Sequence, residues 1–232
     1  MDDFYQPNID VSPKLEGEEF KHCTRVLRKK VGDQIGLFDG KGTYYQATIS
    51  SLLKDSCKLE ITNKIDLPLK SFHVHLAIAP TKSMDRMEWM VEKLGELGID
   101  EISFLQTQHG ERPKIKLDRL QKKAISALKQ SKSGYLMKIN PLIRFNDFIK
   151  QTTSQPNRFI AIVEESLPSF KKLLRPKQPI IIMIGPEGDF SKQEMDLASN
   201  QGIKRISLGK NTLRTETAGL IACHVVNMIN DY

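Results

Sequence analysis

Only three cysteines occur among the 232 residues, Cys23, Cys57 and Cys223, and no two share a C-x-x-C spacing. Neither a disulfide framework nor a cysteine-based zinc site is expected. The five histidines show no ligand spacing, so no metal is expected. Long apolar runs are also missing. Nothing approaches the roughly 20 residues that a membrane span needs. Met1-Asp2-Asp3-Phe4-Tyr5 is acidic and has no apolar run of the secretory kind. The expectation is a cytoplasmic protein without a membrane partner. Two nucleotide signatures are absent as well. Without a G-x-x-x-x-G-K-[ST] a P-loop ATPase is disfavoured, and no G-x-G-x-x-G follows a strand-like run, which disfavours a Rossmann site.

Positive charge is present in excess, and it is unevenly spread. Thirty-five Lys and Arg against 28 Asp and Glu give +7. Residues 1–68 hold ten basic and eleven acidic side chains, which leaves 25 against 17 for the remainder. From 112 to 138 there are nine basic side chains and one acid, Asp118. Such a block is either a solvated helix face or a contact for a polyanion, because neutralising phosphates releases counterions.

Patterning divides the chain near Asp66-Leu67-Pro68-Leu69-Lys70. Before it, Asp39-Gly40 sits between two strand-like runs, a hairpin signal. Cys57 to Thr62 alternates like a third strand. Phe20, Cys23 and Leu27 fall at helical spacing within Glu18 to Lys29, with Arg25, Arg28, Lys29 and Lys30 forming a basic cluster that could meet an RNA backbone. After the boundary, strands and helices alternate: His73–Ala79, a helix capped by Ser83, Ile99–Leu105, a helix through Leu117 and Leu128, then strands at Arg158, Pro179 and Lys204. Ser191 with Glu194 has the form of a capping box. Thr215 is the expected cap of a last helix that is apolar nearly all round, which implies burial against another subunit. Alternating β and α predicts a parallel sheet covered on both faces.

The chemistry is expected in two strand-to-helix loops lying side by side at the C-terminal edge of that sheet. The first is Ile184-Gly185-Pro186-Glu187-Gly188. Its glycines let backbone approach a ligand closely. The second runs Leu208-Gly209 to Leu213-Arg214-Thr215-Glu216-Thr217. It sets a cation, a carboxylate and two hydroxyls where a helix begins. His73 and His75 share a strand face and are expected in core or surface roles. His109 follows a strand and could face substrate.

These two loops, together with Arg25-Val26-Leu27-Arg28, Leu37-Phe38-Asp39-Gly40, Glu96-Leu97-Gly98, Glu111-Arg112 and Lys129-Gln130-Ser131, resemble the RsmE family of ribosomal RNA methyltransferases, of the SPOUT superfamily. The resemblance covers nearly the full length. It implies an N-terminal PUA-like β-barrel over 1–68 that binds RNA. It also implies a dimerising α/β methyltransferase domain over 72–232, a parallel sheet with a C-terminal trefoil knot. The implied cofactor is S-adenosylmethionine, held by Ile184, Gly185, Glu187, Gly188, Leu208, Gly209, Leu213 and Thr217. Implied activity is methylation of uridine N3 in 16S rRNA of the small (30S) subunit, with Arg214 and Glu216 catalytic. RNA contacts are expected at Arg25, Arg28, Lys29, Lys30, Arg112, Lys122, Lys129 and Lys132. The chain departs from the family at Asp189, where a second glycine is common, and at Lys132-Ser133, where an arginine is. Alternatives are a non-catalytic RNA-binding or ribosome-assembly protein on the same fold, or a SPOUT enzyme acting on another RNA.

Overall fold

The computed structural model describes residues 1–110, 114–164 and 166–232, and the chain divides into two compact units. The first comprises Met1–Leu69 with Ile125–Leu136. Its strands are β1 (Asp3–Tyr5), β2 (Lys14–Glu16), β3 (Gln34–Phe38), β4 (Thr43–Leu52) and β5 (Ser56–Asp66), in the order β1-β3-β4-β5-β2. The β3–β4 hairpin turns where the sequence predicts. Asp39 Oδ1 accepts from the backbone N–H groups of Lys41 and Thr43, and Gly40 takes φ +73°. Period-two alternation buries Tyr45, Ala47 and Ile49 of β4 against Phe4, Leu15, Ile35, Leu37 and Leu59.

Helix α1 (Gly17–Lys21) is shorter than the spacing predicts and opens into a π-helical turn at His22–Val26. The Leu27 N–H reaches back five residues to the His22 carbonyl. Phe20 and Cys23 are both buried in the core. Arg28 then leaves the helical region at φ +55°, so Lys29 and Lys30 follow the helix instead of extending it. Cys23 and Cys57, distant in sequence, both lie buried in this core as free thiols.

The second unit comprises Lys70–Ala124 with Met137–Tyr232. Strands β6 (Val74–Ile78), β7 (Glu101–Gln106), β8 (Lys138–Arg144), β9 (Arg158–Ala161), β10 (Ile180–Ile184) and β11 (Lys204–Ile206) form one parallel sheet in the order β11-β9-β10-β6-β7-β8. Every residue of β6 and β10 is buried, as central strands covered on both faces require. Each buried isoleucine of β10 contributes about 1.5–3 kcal/mol. The helices are α2 (Met84–Glu96), α3 (Leu117–Ser131), α4 (Phe145–Gln151), α5 (Phe170–Leu173), α6 (Lys192–Asn200) and α7 (Thr215–Ile229). Ser83 caps α2 by accepting from the Arg86 N–H, and the Ser191–Glu194 capping box of α6 is complete.

Sequence patterning passed over β8 and α4. The edge strand β8 never alternates cleanly and carries Pro141, which cannot donate to a ladder. Helix α7 packs on α2, β6, β10 and α5, yet Ile221 and Met228 on its outer side stay 39% and 59% exposed.

The two strand histidines separate in environment. His73 is half exposed, whereas His75 is buried, with Nε2 2.8 Å from Ser103 Oγ. Burial pushes the His75 pKa down to about 4, against an opposing pull from Glu101. The unfolded chain therefore takes up a proton near pH 6.5 that the folded chain refuses until about pH 4. Stability should be complete above 6.5 and decline as pH falls toward 4, by about 3 kcal/mol in all from this group. Urea unfolding at pH 7 and 4.5 checks this, because His75→Gln should flatten the loss. An unchanged slope would refute it.

Candidate active site at the strand ends

Strands β10 and β11 are not neighbours, contrary to the expectation of two loops side by side. β9 lies between them. Their loops nevertheless border one cavity of about 290 Å³, and the end of β9 supplies the missing wall through Ala161, Ile162 and Val163. Of the residues predicted to hold a ligand, Ile184, Gly185, Glu187, Leu208, Gly209 and Leu213 line it, as does Arg214. Gly188 and Thr217 do not. Nothing in the sequence marked the β9 residues, because a short apolar strand end looks the same wherever it sits in a sheet.

Local geometry ties the loops together. Thr215, expected to cap α7, instead donates its hydroxyl to the Gly185 carbonyl at 3.2 Å. Arg214 takes the N-cap position without a side-chain cap. Gly185 sits so close to the Phe190 ring that a Cβ there would lie 3.1 Å away. Asp189 adopts φ +59°, its N–H donating to the Pro186 carbonyl and its Oδ1 accepting from the Phe190 N–H at 2.7 Å. A glycine reaches that left-handed conformation without cost, and aspartate is among the few other residues that visit it. Aspartate at 189 is thus compatible with the left-handed turn this loop takes. His109, expected to face substrate, has Nδ1 3.1 Å from the carbonyls of both Gly188 and Asp189, so it pins this loop.

Ile162, Leu208, Leu213 and Ala218 give the cavity apolar lining. Backbone at three strand ends and the acids Glu187 and Asp189 surround it. This set suits a flat heteroaromatic base on the apolar lining, its edge read by backbone, with carboxylates near hydroxyls or cationic groups. Glu216 is placed differently. It is 6% exposed and outside the lining, with Oε1 3.8 Å from Arg86 Nε of α2.

The residues expected to meet RNA differ in setting. Arg25, Arg28 and Lys30 are exposed in the first unit, while Lys29 pairs with Asp2 at 2.8 Å. Lys129 is held by Glu19 at 2.7 Å, and Lys132 is exposed at φ +56°. Lys122 is exposed on α3. Arg112 lies outside the described residues. No cluster of His, Cys, Asp and Glu able to hold a metal, and no helix long and apolar enough to cross a membrane, occurs among the described residues.

Comparison with known proteins gives a consistent answer. A family model described as an RNA methyltransferase domain matches residues 68–227, and one described as an RNA methyltransferase PUA domain matches 15–62. The chain is 30% identical to a ribosomal RNA small subunit methyltransferase E from Rickettsia conorii, covering 94% of this chain and 91% of that protein. It superposes on a probable rRNA-methyltransferase from Porphyromonas gingivalis with a TM-score of 0.92 at 38% identity, over 100% and 99% of the two chains. A ribosomal RNA small subunit methyltransferase E from Neisseria gonorrhoeae, bound to S-adenosyl methionine, gives 0.87 at 28% identity over 99% and 98%.

Proposed function

The chain belongs to the ribosomal RNA small subunit methyltransferase E family, and from that membership we propose that it methylates N3 of a uridine in 16S rRNA. The enzyme is an S-adenosylmethionine-dependent RNA methyltransferase. The observation that carries the specific reading is the strand-end cavity, with an exposed arginine at its rim where α7 begins.

When bound, S-adenosylmethionine supplies a methyl group whose bond to sulfur breaks as the new bond to nitrogen forms, the electron pair staying on sulfur. Ile184, Gly185, Leu208, Gly209 and Leu213 would hold the adenosine part. Gly188 and Thr217 are proposed to act one step back, by shaping the two loops. Uracil N3 must lose its proton, which places negative charge on the flanking carbonyl oxygens. Arg214 stabilises that charge. Glu187, exposed in the cavity lining, is proposed to accept the proton, and the sealed Glu216 to orient a cation instead of exchanging a proton. The uridine must be unpaired or flipped, since pairing hides N3.

The 1–68 module, PUA-like in its match, is proposed to grip the RNA backbone through Arg25, Arg28, Lys29 and Lys30, with Lys122, Lys129, Lys132 and Arg112 adding contacts. A homodimer is proposed to cover the outer side of α7, where Ile221 and Met228 are exposed. The C-terminal segment is proposed to form the trefoil knot, and the enzyme to work in the cytoplasm on rRNA or the 30S subunit. Nucleoside mass spectrometry of rRNA from a deletion strain should lack 3-methyluridine in 16S rRNA and regain it with the gene restored. An unchanged modification profile would refute the assignment, favouring a non-catalytic or differently targeted protein.

A further inference from the structure

Burying a carboxylate is costly unless both oxygens find partners. Glu216 is sealed in the first turn of α7, yet its Oε2 has no hydrogen-bond partner among the described residues, and Oε1 meets only the Nε side of Arg86 at 3.8 Å. Arg86 lies in the first turn of α2, where its own N–H is fixed by the Ser83 cap, and its side chain remains 44% exposed. The pair thus has one buried end and one open end. Its location matters, because α2 packs on α7 and Glu216 is two residues from Arg214 at the cavity rim.

Neighbouring charges do not consume this arginine. On α2 the adjacent acids Asp85 and Glu88 both pair with Arg119 of α3, at 3.7 Å and in direct contact respectively. Of the other elements packed on α7, β6 brings only His75, β10 no ionisable group, and α5 the exposed Lys171 and Lys172.

We propose that Arg86 is a second substrate-binding arginine, presented to an anionic oxygen of the RNA by Glu216 acting as its buried anchor. The inference rests on the methyltransferase reading and deepens it. An arginine held through Nε keeps its two terminal nitrogens free as a fork for an oxyanion or phosphate. The shared chemistry is an anionic oxygen. It comes either from the uracil ring as charge develops or from a phosphate of the strand.

Kinetics of Arg86→Ala separate the two sources. Loss of an oxyanion contact lowers kcat about tenfold to a hundredfold at unchanged KM for RNA. Loss of a phosphate contact raises KM by a similar factor and reduces the salt slope of binding by about one. Glu216→Gln should move the same parameter in the same direction, and the double variant should be no worse than Arg86→Ala alone. Arg86→Lys should recover only part, since an ammonium lacks the fork. Arg86→Ala leaves the sealed Glu216 without its cation and should lower the melting temperature, whereas the double variant with Glu216→Gln removes that unmatched charge and should recover most of it, which keeps the kinetics readable. Both parameters within twofold of native in Arg86→Ala would overturn the proposal, as would fully additive effects in the double variant. A native enzyme that transfers no methyl group to small-subunit RNA would instead overturn the functional reading itself.

Discussion

Replacing Arg214 by alanine should lower the single-turnover rate of methyl transfer about 10²–10³-fold, with RNA and cofactor both saturating. Uracil N3 becomes a nucleophile only as its proton leaves, and the resulting charge is shared with the ring oxygens. A guanidinium at that point is worth more than its contribution to ground-state binding, because the charge exists only near the transition state. Arg214 is the residue proposed for this role. It is the N-cap residue of α7, exposed at the rim of the cavity, with no side-chain capping bond to occupy it. Folding should be nearly indifferent, as exposed substitutions usually change stability by no more than about 0.5 kcal/mol. Arg214→Lys should retain charge and recover part of the rate, short of native because one ammonium cannot match a planar fork. Single-turnover transfer of labelled methyl, beside calorimetric cofactor affinity, checks both. A rate within fivefold of native in Arg214→Ala would end the oxyanion role.

Much of the fold was legible where local rules and global packing agree. Ile180 to Ile184 read as a fully buried strand, Ser191 with Glu194 as a helix start, and Asp39-Gly40 as a hairpin, and each is built that way. These signals are short-range, set by side chains within a few residues of one another. What escaped was long-range. Nothing between Arg158 and Val163 announces that β9 will lie between β10 and β11 and wall the cavity, since strand order depends on how crossovers pack. Thr215 has the chemistry of a cap, but its hydroxyl is taken by the Gly185 carbonyl from a loop thirty positions earlier. Glu216 was expected to be catalytic together with Arg214. The helix geometry turns it toward α2, to an arginine in a motif the sequence had marked only for its helix cap. The π-helical turn at His22 was invisible because the spacing of Phe20, Cys23 and Leu27 fits an ordinary helix equally well.

Lys70→Met should be strongly destabilising, costing about 3 kcal/mol. Lys70 is a lysine in an unusual place, its side chain only 6% exposed. Its ammonium sits 2.7 Å from Asp100 Oδ2, donates to the Gly98 carbonyl, and lies 4.7 Å and 5.6 Å from the ring centres of Phe72 and Tyr232. Asp100 Oδ2 in turn accepts from the Val74 N–H at 2.7 Å. One pair therefore joins the entry to β6, the turn before β7 and the last residue of the chain. Methionine fills much of the same space, so the cost would come from leaving Asp100, 22% exposed, with a partly buried charge and no cation. The exposed i,i+3 pair Lys93–Glu96 provides the contrast, since breaking it should cost no more than about 0.5 kcal/mol. Urea unfolding with an unchanged m-value would measure both. Adding Asp100→Asn to Lys70→Met should recover a large share of the loss, because the amide oxygen can still accept from Val74 without carrying charge. If the single variant lost under about 1 kcal/mol, or the second substitution deepened the loss, the burial of an unmatched charge would not be what Lys70 prevents.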